Sequence, residues 1–145
     1  MRLGRWLAGL VLVAGCATGA GDVLVPYRVQ GDAISEPLAP AGDPVSGRET
    51  AFGRDGNCLL CHAVPDAGKI LMGNLGPQLD GVGARLSEGQ LRLRIVDSAQ
   101  VNPDTIMPSY YRVEGLNRVG AAWRGRPVLT AQQVEDMVAF LQTLR

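Results

Sequence analysis

Apolar and polar positions along the 145-residue chain sort into three helical stretches separated by long aperiodic ones. The clearest period is C-terminal. Val134, Met137, Val138, Leu141 and Leu144 recur at the three- and four-residue spacing of one helix face, and Phe140 lies at the edge of that stripe, where it can reach another helix. Thr130-x-x-Gln133 is a capping box in front of it, so a helix is predicted from Ala131 to Leu144. Ser87-Glu88-Gly89-Gln90 is a second capping box and predicts a helix from about Glu88 to Ser98. Leu91-Arg92-Leu93-Arg94-Ile95 alternates like a strand, but nothing nearby offers it a partner strand. Asp43-Pro44 supplies an N-cap and a proline at the first helical position. It predicts a helix to about Arg54, with Val45, Thr50, Ala51 and Phe52 as apolar surface and Gly47 as a point of close approach. Residues 63–86, rich in Gly and Pro, and 99–128 show no period. The first of these loops is long for a small domain and needs something to organise it. The fold class expected is all-α.

Ahead of the first helix the pattern changes. Arg2 and Arg5 precede an apolar run from Trp6 to Ala14, too short to span a bilayer, and small residues follow. Residues 1–20 therefore read as an export signal, and the mature chain is expected in the periplasm. Thr18-Gly19-Ala20 suits ordinary signal cleavage, whereas Val13-Ala14-Gly15-Cys16 resembles a lipobox that would make Cys16 a lipidated, membrane-tethered first residue. Residues 21–43 form an extended arm punctuated by Pro26, Pro37 and Pro40, which speaks against a helix. A flexible linker is the simpler reading of it, and an arm laid on a partner subunit the sharper one. Residues 44–145 make one domain.

Composition narrows the partners. Fourteen basic and 14 acidic side chains balance, and without Arg2 and Arg5 the count is 12 against 14. Nothing in this suggests nucleic acid binding. Lys69 is the only lysine, so any basic contact surface must be built from arginine.

The chemistry sits in Cys58-Leu59-Leu60-Cys61-His62, a C-x-x-C-H attachment sequence for one covalent c-type haem. Two thiols in one turn can each bond a vinyl group of the same porphyrin, and the adjoining His62, the only histidine, can offer nitrogen to the iron. A thioredoxin-like redox pair would want a surrounding βαβ pattern, which is missing. A structural zinc site would want four ligands, and adjacent Cys61 and His62 suit one tetrahedral centre poorly. For the second axial position the candidates are Met72, Met107, Met137 or nothing. Met137 belongs to a helical stripe, where core packing explains it. Met107 is favoured because Pro108 would stiffen its loop, which helps a weak thioether ligand. An iron held by His62 and Met107 has no open position, which points to electron transfer rather than haem-centred chemistry, with no catalytic residue on this chain. With both thiols used as thioethers and Cys16 removed or lipidated, no free thiol remains for covalent catalysis.

Four blocks together resemble the SoxX family, the monohaem cytochromes c of the bacterial thiosulfate-oxidising system. They are Gly56-Asn57-Cys58-Leu59-Leu60-Cys61-His62, Gly76-Pro77-Gln78-Leu79-Asp80-Gly81-Val82-Gly83, Leu91-Arg92-Leu93-Arg94-Ile95-Val96-Asp97, and Asn102-Pro103-Asp104-Thr105-Ile106-Met107-Pro108-Ser109-Tyr110-Tyr111. The resemblance extends over about residues 23–144. It implies a class I cytochrome c fold, thioethers at Cys58 and Cys61, axial ligands His62 and Met107, and a Pro77 carbonyl that receives the N–H of His62. It also implies a SoxA-like haem subunit as partner in a heterodimeric L-cysteine S-thiosulfotransferase whose catalytic site lies on that partner. That complex couples thiosulfate oxidatively to a cysteine of a SoxY-like carrier protein, and its electrons leave toward a soluble cytochrome c. The alternative is a stand-alone periplasmic monohaem carrier of another respiratory chain, which needs only the haem motif and Met107.

Overall fold

A computed structural model describes residues 24–65, 67–68 and 71–145. The leader with Cys16, residues 21–23 of the arm and Lys69 lie outside the described residues. Among those described, the helices are α1 (Pro44–Phe52), α2 (Val82–Arg85), α3 (Glu88–Asp97) and α4 (Ala131–Thr143), with 3-10 turns at Cys58–Leu60, Ser98–Gln100 and Ala121–Trp123. The one β-type pairing in this set is an isolated bridge between Gln30 and Ala33.

The helices begin where the caps predict. The Asp43 carboxylate accepts from the backbone N–H of Ser46 at 2.9 Å with Pro44 at the first position, and both capping boxes close reciprocally at Ser87/Gln90 and Thr130/Gln133. α1 packs on α4 through its small residues. A Cβ placed on Gly47 would lie 1.9 Å from the Asp136 carbonyl oxygen and 2.9 Å from Phe140 Cβ, so only glycine permits the approach. Phe52 and Phe140 meet edge to face with centroids 6.0 Å apart. Val45, expected on the apolar side of α1, is 65% exposed, because contact this close is made by Gly47 and Ala51 rather than by a branched side chain. α2 lies inside a stretch that reads as loop, since four residues are too few to show a period. Gly83 seats it on the end of α4 by donating its N–H to the Leu144 carbonyl at 2.9 Å.

The linker reading of residues 21–43 does not hold for the described part. Ile34 is completely buried and Leu38 nearly so. Ile34 N–H donates to Gly89 O at 3.0 Å, Leu38 N–H to Glu135 Oε1 at 2.9 Å, and Asp43 N–H to Asp136 Oδ1 at 2.9 Å. The arm is laid along α3 and α4 of its own domain. Arg92 is the fastener. Its Nε and Nη2 grip both oxygens of Glu135 at 2.7 and 2.8 Å, and its Nη1 donates to Ile34 O at 2.7 Å. This accounts for the alternation in Leu91-Arg92-Leu93-Arg94-Ile95. α3 is covered by the arm, by α4 and by a cavity, so Leu91, Arg92, Leu93, Ile95, Val96 and Asp97 are all buried, and a charge inside that run marks a buried ion pair rather than a solvent face.

Candidate haem site

α1, α3, α4 and the two long loops enclose a cavity of about 710 Å³ with a mainly apolar lining, within the size range of cofactor pockets. Ala51, Leu91, Ile95, Met137, Phe140 and Leu141 provide its helical walls. Cys58, Cys61, His62, Pro77 and Met107 all line it, so the five residues singled out in the sequence converge on one space.

The wall that carries His62 is made by backbone. Cys58–Leu60 form a 3-10 turn after Asn57, whose backbone is left-handed at φ 46°, and the N–H groups of Cys61 and His62 both return to Cys58 O, at 3.1 and 2.9 Å. The glycine-rich loop then runs back alongside. Gly73 N–H donates to Leu59 O, Gly76 N–H to Cys61 O and Leu79 N–H to Ala63 O, at 2.8, 2.8 and 2.9 Å. The loop needs its glycines: a Cβ on Gly73 would lie 1.9 Å from Leu60 O, and one on Gly76 would lie 2.4 Å from His62 Cε1. Held this way, His62 places Nδ1 2.6 Å from Pro77 O, and donation there leaves Nε2 as the nitrogen with a lone pair to offer a metal.

The wall that carries Met107 is fixed by side chains. Met107 N–H donates to Thr105 Oγ1 at 3.1 Å, and its carbonyl accepts from Ser98 Oγ at 2.8 Å. Met72 is 38% exposed, its sulfur accepts from Val64 N–H at 3.2 Å, and it is not among the lining residues. Met137 lines the cavity but is buried within α4 as core.

Tyr110 joins the two walls. Its hydroxyl donates to Gly56 O at 2.6 Å, across 54 residues of chain. Burial pushes its phenol up to about 12, with the nearby Cys58 and Cys61 thiols adding to the effect. Burial likewise pushes the Cys58 thiol up to about 11. Reactive redox thiols are shifted the other way, so Cys58 lacks the activation that a thiol–disulfide exchanger needs. Arg85 and Arg94 also line the cavity. Their neighbours are Asp80 O for Arg85, and Gln90 O and Asp32 for Arg94. No period or motif points to Tyr110, Ser98 or these arginines at the site; Tyr110 and Arg94 fall inside the resemblance blocks, and Ser98 and Arg85 fall outside them.

The residues fit a covalent haem. A deep apolar space is flanked by two thiols, an oriented imidazole and a thioether, and glycine stands wherever a side chain would collide with the imidazole or the turn. Comparison with known proteins agrees. Residues 49–145 match the family model for cytochrome c. No curated relative matches. Among solved structures, a chain of the crystal structure of SoxXA from P. pantotrophus is 34% identical, with a TM-score of 0.75, covering 81% of this chain and 93% of that one. The described helices, organised around the cavity, thus form a class I cytochrome c fold. A fold that positions two cysteines and a histidine at one wall of an apolar cavity, matched over most of its length to these proteins, places the chain in the cytochrome c family as a SoxX-like c-type cytochrome with covalently bound haem c.

Proposed function

We propose that this chain is the electron-transfer subunit of a periplasmic complex with a SoxA-like haem subunit, in which thiosulfate is coupled oxidatively to a cysteine of a SoxY-like carrier protein. Its electrons pass to a soluble cytochrome c. The observation that carries this reading is the likeness to a SoxXA chain over 93% of that chain's length. In it Cys58 and Cys61 are the thioether attachments, His62 and Met107 the axial ligands, and Pro77 O the acceptor that orients His62. When bound, haem supplies a one-electron couple whose potential methionine ligation raises.

The chain's own residues do the rest. Pro77 fixes the ring and tautomer of His62, and Leu91, Ile95, Phe140 and Leu141 keep water from the cavity. With His62 and Met107 engaged by iron and Cys58 and Cys61 by the porphyrin, the chain would have no group left at this site to bind or attack a sulfur compound. The coupling of thiosulfate to cysteine therefore belongs to the partner, and this chain relays electrons from the assembled L-cysteine S-thiosulfotransferase.

Co-purification from thiosulfate-grown cells, with mass spectrometry of the intact mature chain, tests partner, haem mass and N-terminus together. A heterodimer with a second haem protein is expected, and deletion of the gene should stop thiosulfate oxidation. A monomer that reduces an oxidase unaided, in cells whose thiosulfate oxidation survives deletion, would replace this reading with the stand-alone carrier. The N-terminal mass distinguishes cleavage after Ala20 from lipidation of Cys16.

A further inference from the structure

The last turn of α3 does more than end a helix. Its terminal carbonyls, which have no partner within the helix, accept from the segment that follows Met107: Tyr110 N–H donates to Ile95 O at 3.1 Å and Tyr111 N–H to Val96 O at 3.2 Å. Side chains from the next two residues reach the same segment. Ser98 Oγ donates to the carbonyl of Met107 at 2.8 Å, and Asp97 Oδ1 accepts from Ser109 Oγ at 2.7 Å. The other Asp97 oxygen faces Gln100 Nε2 at 3.3 Å and Arg112 Nη1 at 3.5 Å.

Asp97 is 1% exposed and closes α3 at the end where the helix dipole disfavours a negative charge. Nothing in the stability of α3 itself asks for a carboxylate there. Among the described residues, the hydrogen bonds and ion pair of its side chain run forward in the chain, to residues 100, 109 and 112. Arg112 is the loose member, since its pairing is long and its buried Nε has no acceptor among the described residues.

We infer that Ser98 and Asp97 are positioning residues for the axial thioether: they clamp the backbone on either side of Met107–Pro108, so that the sulfur is presented to the iron without the freedom of a loop. The inference rests on Met107 being the ligand. A thioether is a weak donor, and its occupancy depends on how little entropy is lost when it binds. The Ser98 hydroxyl that holds Met107 O and the Asp97 carboxylate that holds the Ser109 hydroxyl remove that freedom in advance. Deleting one such hydrogen bond releases it, without touching sulfur, haem or imidazole.

The test uses the holoprotein and free imidazole, which competes with the methionine for ferric iron. Ser98→Ala and Ser109→Ala each remove one clamp hydroxyl and keep the Cβ. Each should tighten imidazole binding about fivefold to tenfold, the range expected from one hydrogen bond, and weaken the far-red sulfur-to-iron charge-transfer band. Val138→Ala, a core truncation on α4 outside the cavity lining, should lower the melting point yet leave imidazole affinity within about twofold. If Ser98→Ala and Ser109→Ala behave like Val138→Ala, with lower melting and unmoved imidazole affinity, the clamp is merely structural and the inference fails. Met107→Ala separates the two readings. Loss of the far-red band with tight imidazole binding upholds the ligand and leaves the clamp to be judged by the serine variants. A band that persists in Met107→Ala overturns the ligand assignment and the clamp with it.

Discussion

The two ligand-bearing walls of the haem cavity are built on opposite plans. Around His62 the chain uses its own backbone: three N–H groups of residues 73–79 bond to carbonyls of residues 59–63, and glycine stands where a methyl group would strike Leu60 O or the imidazole. Around Met107 it uses hydroxyls and a carboxylate, those of Thr105, Ser98, Ser109 and Asp97. The backbone plan leaves no single side chain to adjust, so the imidazole is either held or lost. The side-chain plan is divisible, and each hydroxyl can be removed at a graded cost. Strength of the sulfur bond, and with it the potential, is therefore the property that point substitutions can tune.

The largest expected effect ignores the difference between the walls. Arg92→Met leaves Glu135 buried without its partner and frees Ile34 O. It should destabilise by about 3–5 kcal/mol, a large share of a small domain's stability, and loosen both walls together in urea titrations of the holoprotein. Adding Glu135→Leu should restore much of the loss; no recovery would mean that the pair's geometry matters more than its charge.

Gly76→Ala should hit one wall only. Its Cβ would fall 2.4 Å from His62 Cε1 and 2.7 Å from Nδ1, so the ring must leave Pro77 O. Overpacking of this kind costs about 1–3 kcal/mol, and the haem-to-protein ratio of the mature chain should drop while Gly120→Ala, whose Cβ would meet only Trp123 Cδ1 at 3.9 Å, leaves it unchanged.

Tyr110→Phe cuts the tie between the walls and should cost about 1 kcal/mol near neutral pH, read as a shift in urea midpoint. The same phenol gives the smallest and most specific signal. Its folded-state pKa lies above the ordinary value of about 10 because it is buried. The unfolded chain therefore loses this proton first. The contribution of Tyr110 to stability is whole below pH ~10 and falls as pH rises toward about 12. Midpoints measured from pH 9 upward should decline in the parent and less steeply in Tyr110→Phe. Equal slopes would show that another group governs the alkaline limb.

Much of this was legible in the sequence because it rests on local chemistry. Capping boxes mark their own helices, the α4 stripe marks its buried face, and C-x-x-C-H joins attachment and ligation within five residues. What the sequence hid is what depends on pairing over distance. Arg92 and Glu135 are 43 residues apart, and nothing in either neighbourhood says that the two charges are buried together. The arm reads as a linker because its prolines forbid a helix, yet an extended segment can be fully packed when its N–H groups find carboxylates on another element. Ser98 and Tyr110 carry no motif of their own. They matter because one folds back on Met107 and the other on Gly56.

The place of α4 in the chain has a consequence for the order in which the molecule can be completed. Glu135 and Asp136 supply the acceptors for Leu38 and Asp43 and the counter-charge for Arg92, and Phe140 supplies the ring against Phe52. Glu135 and Asp136 lie 97 and 93 residues along the chain from Leu38 and Asp43. Until α4 has docked, the arm and α1 have no surface to settle on, and the wall that α4 contributes to the cavity is missing. Contacts of such long sequence separation slow folding. While α4 is undocked, the turn that carries Cys58 and Cys61 stays open on the side that α4 would wall off, which is the interval that haem attachment would need.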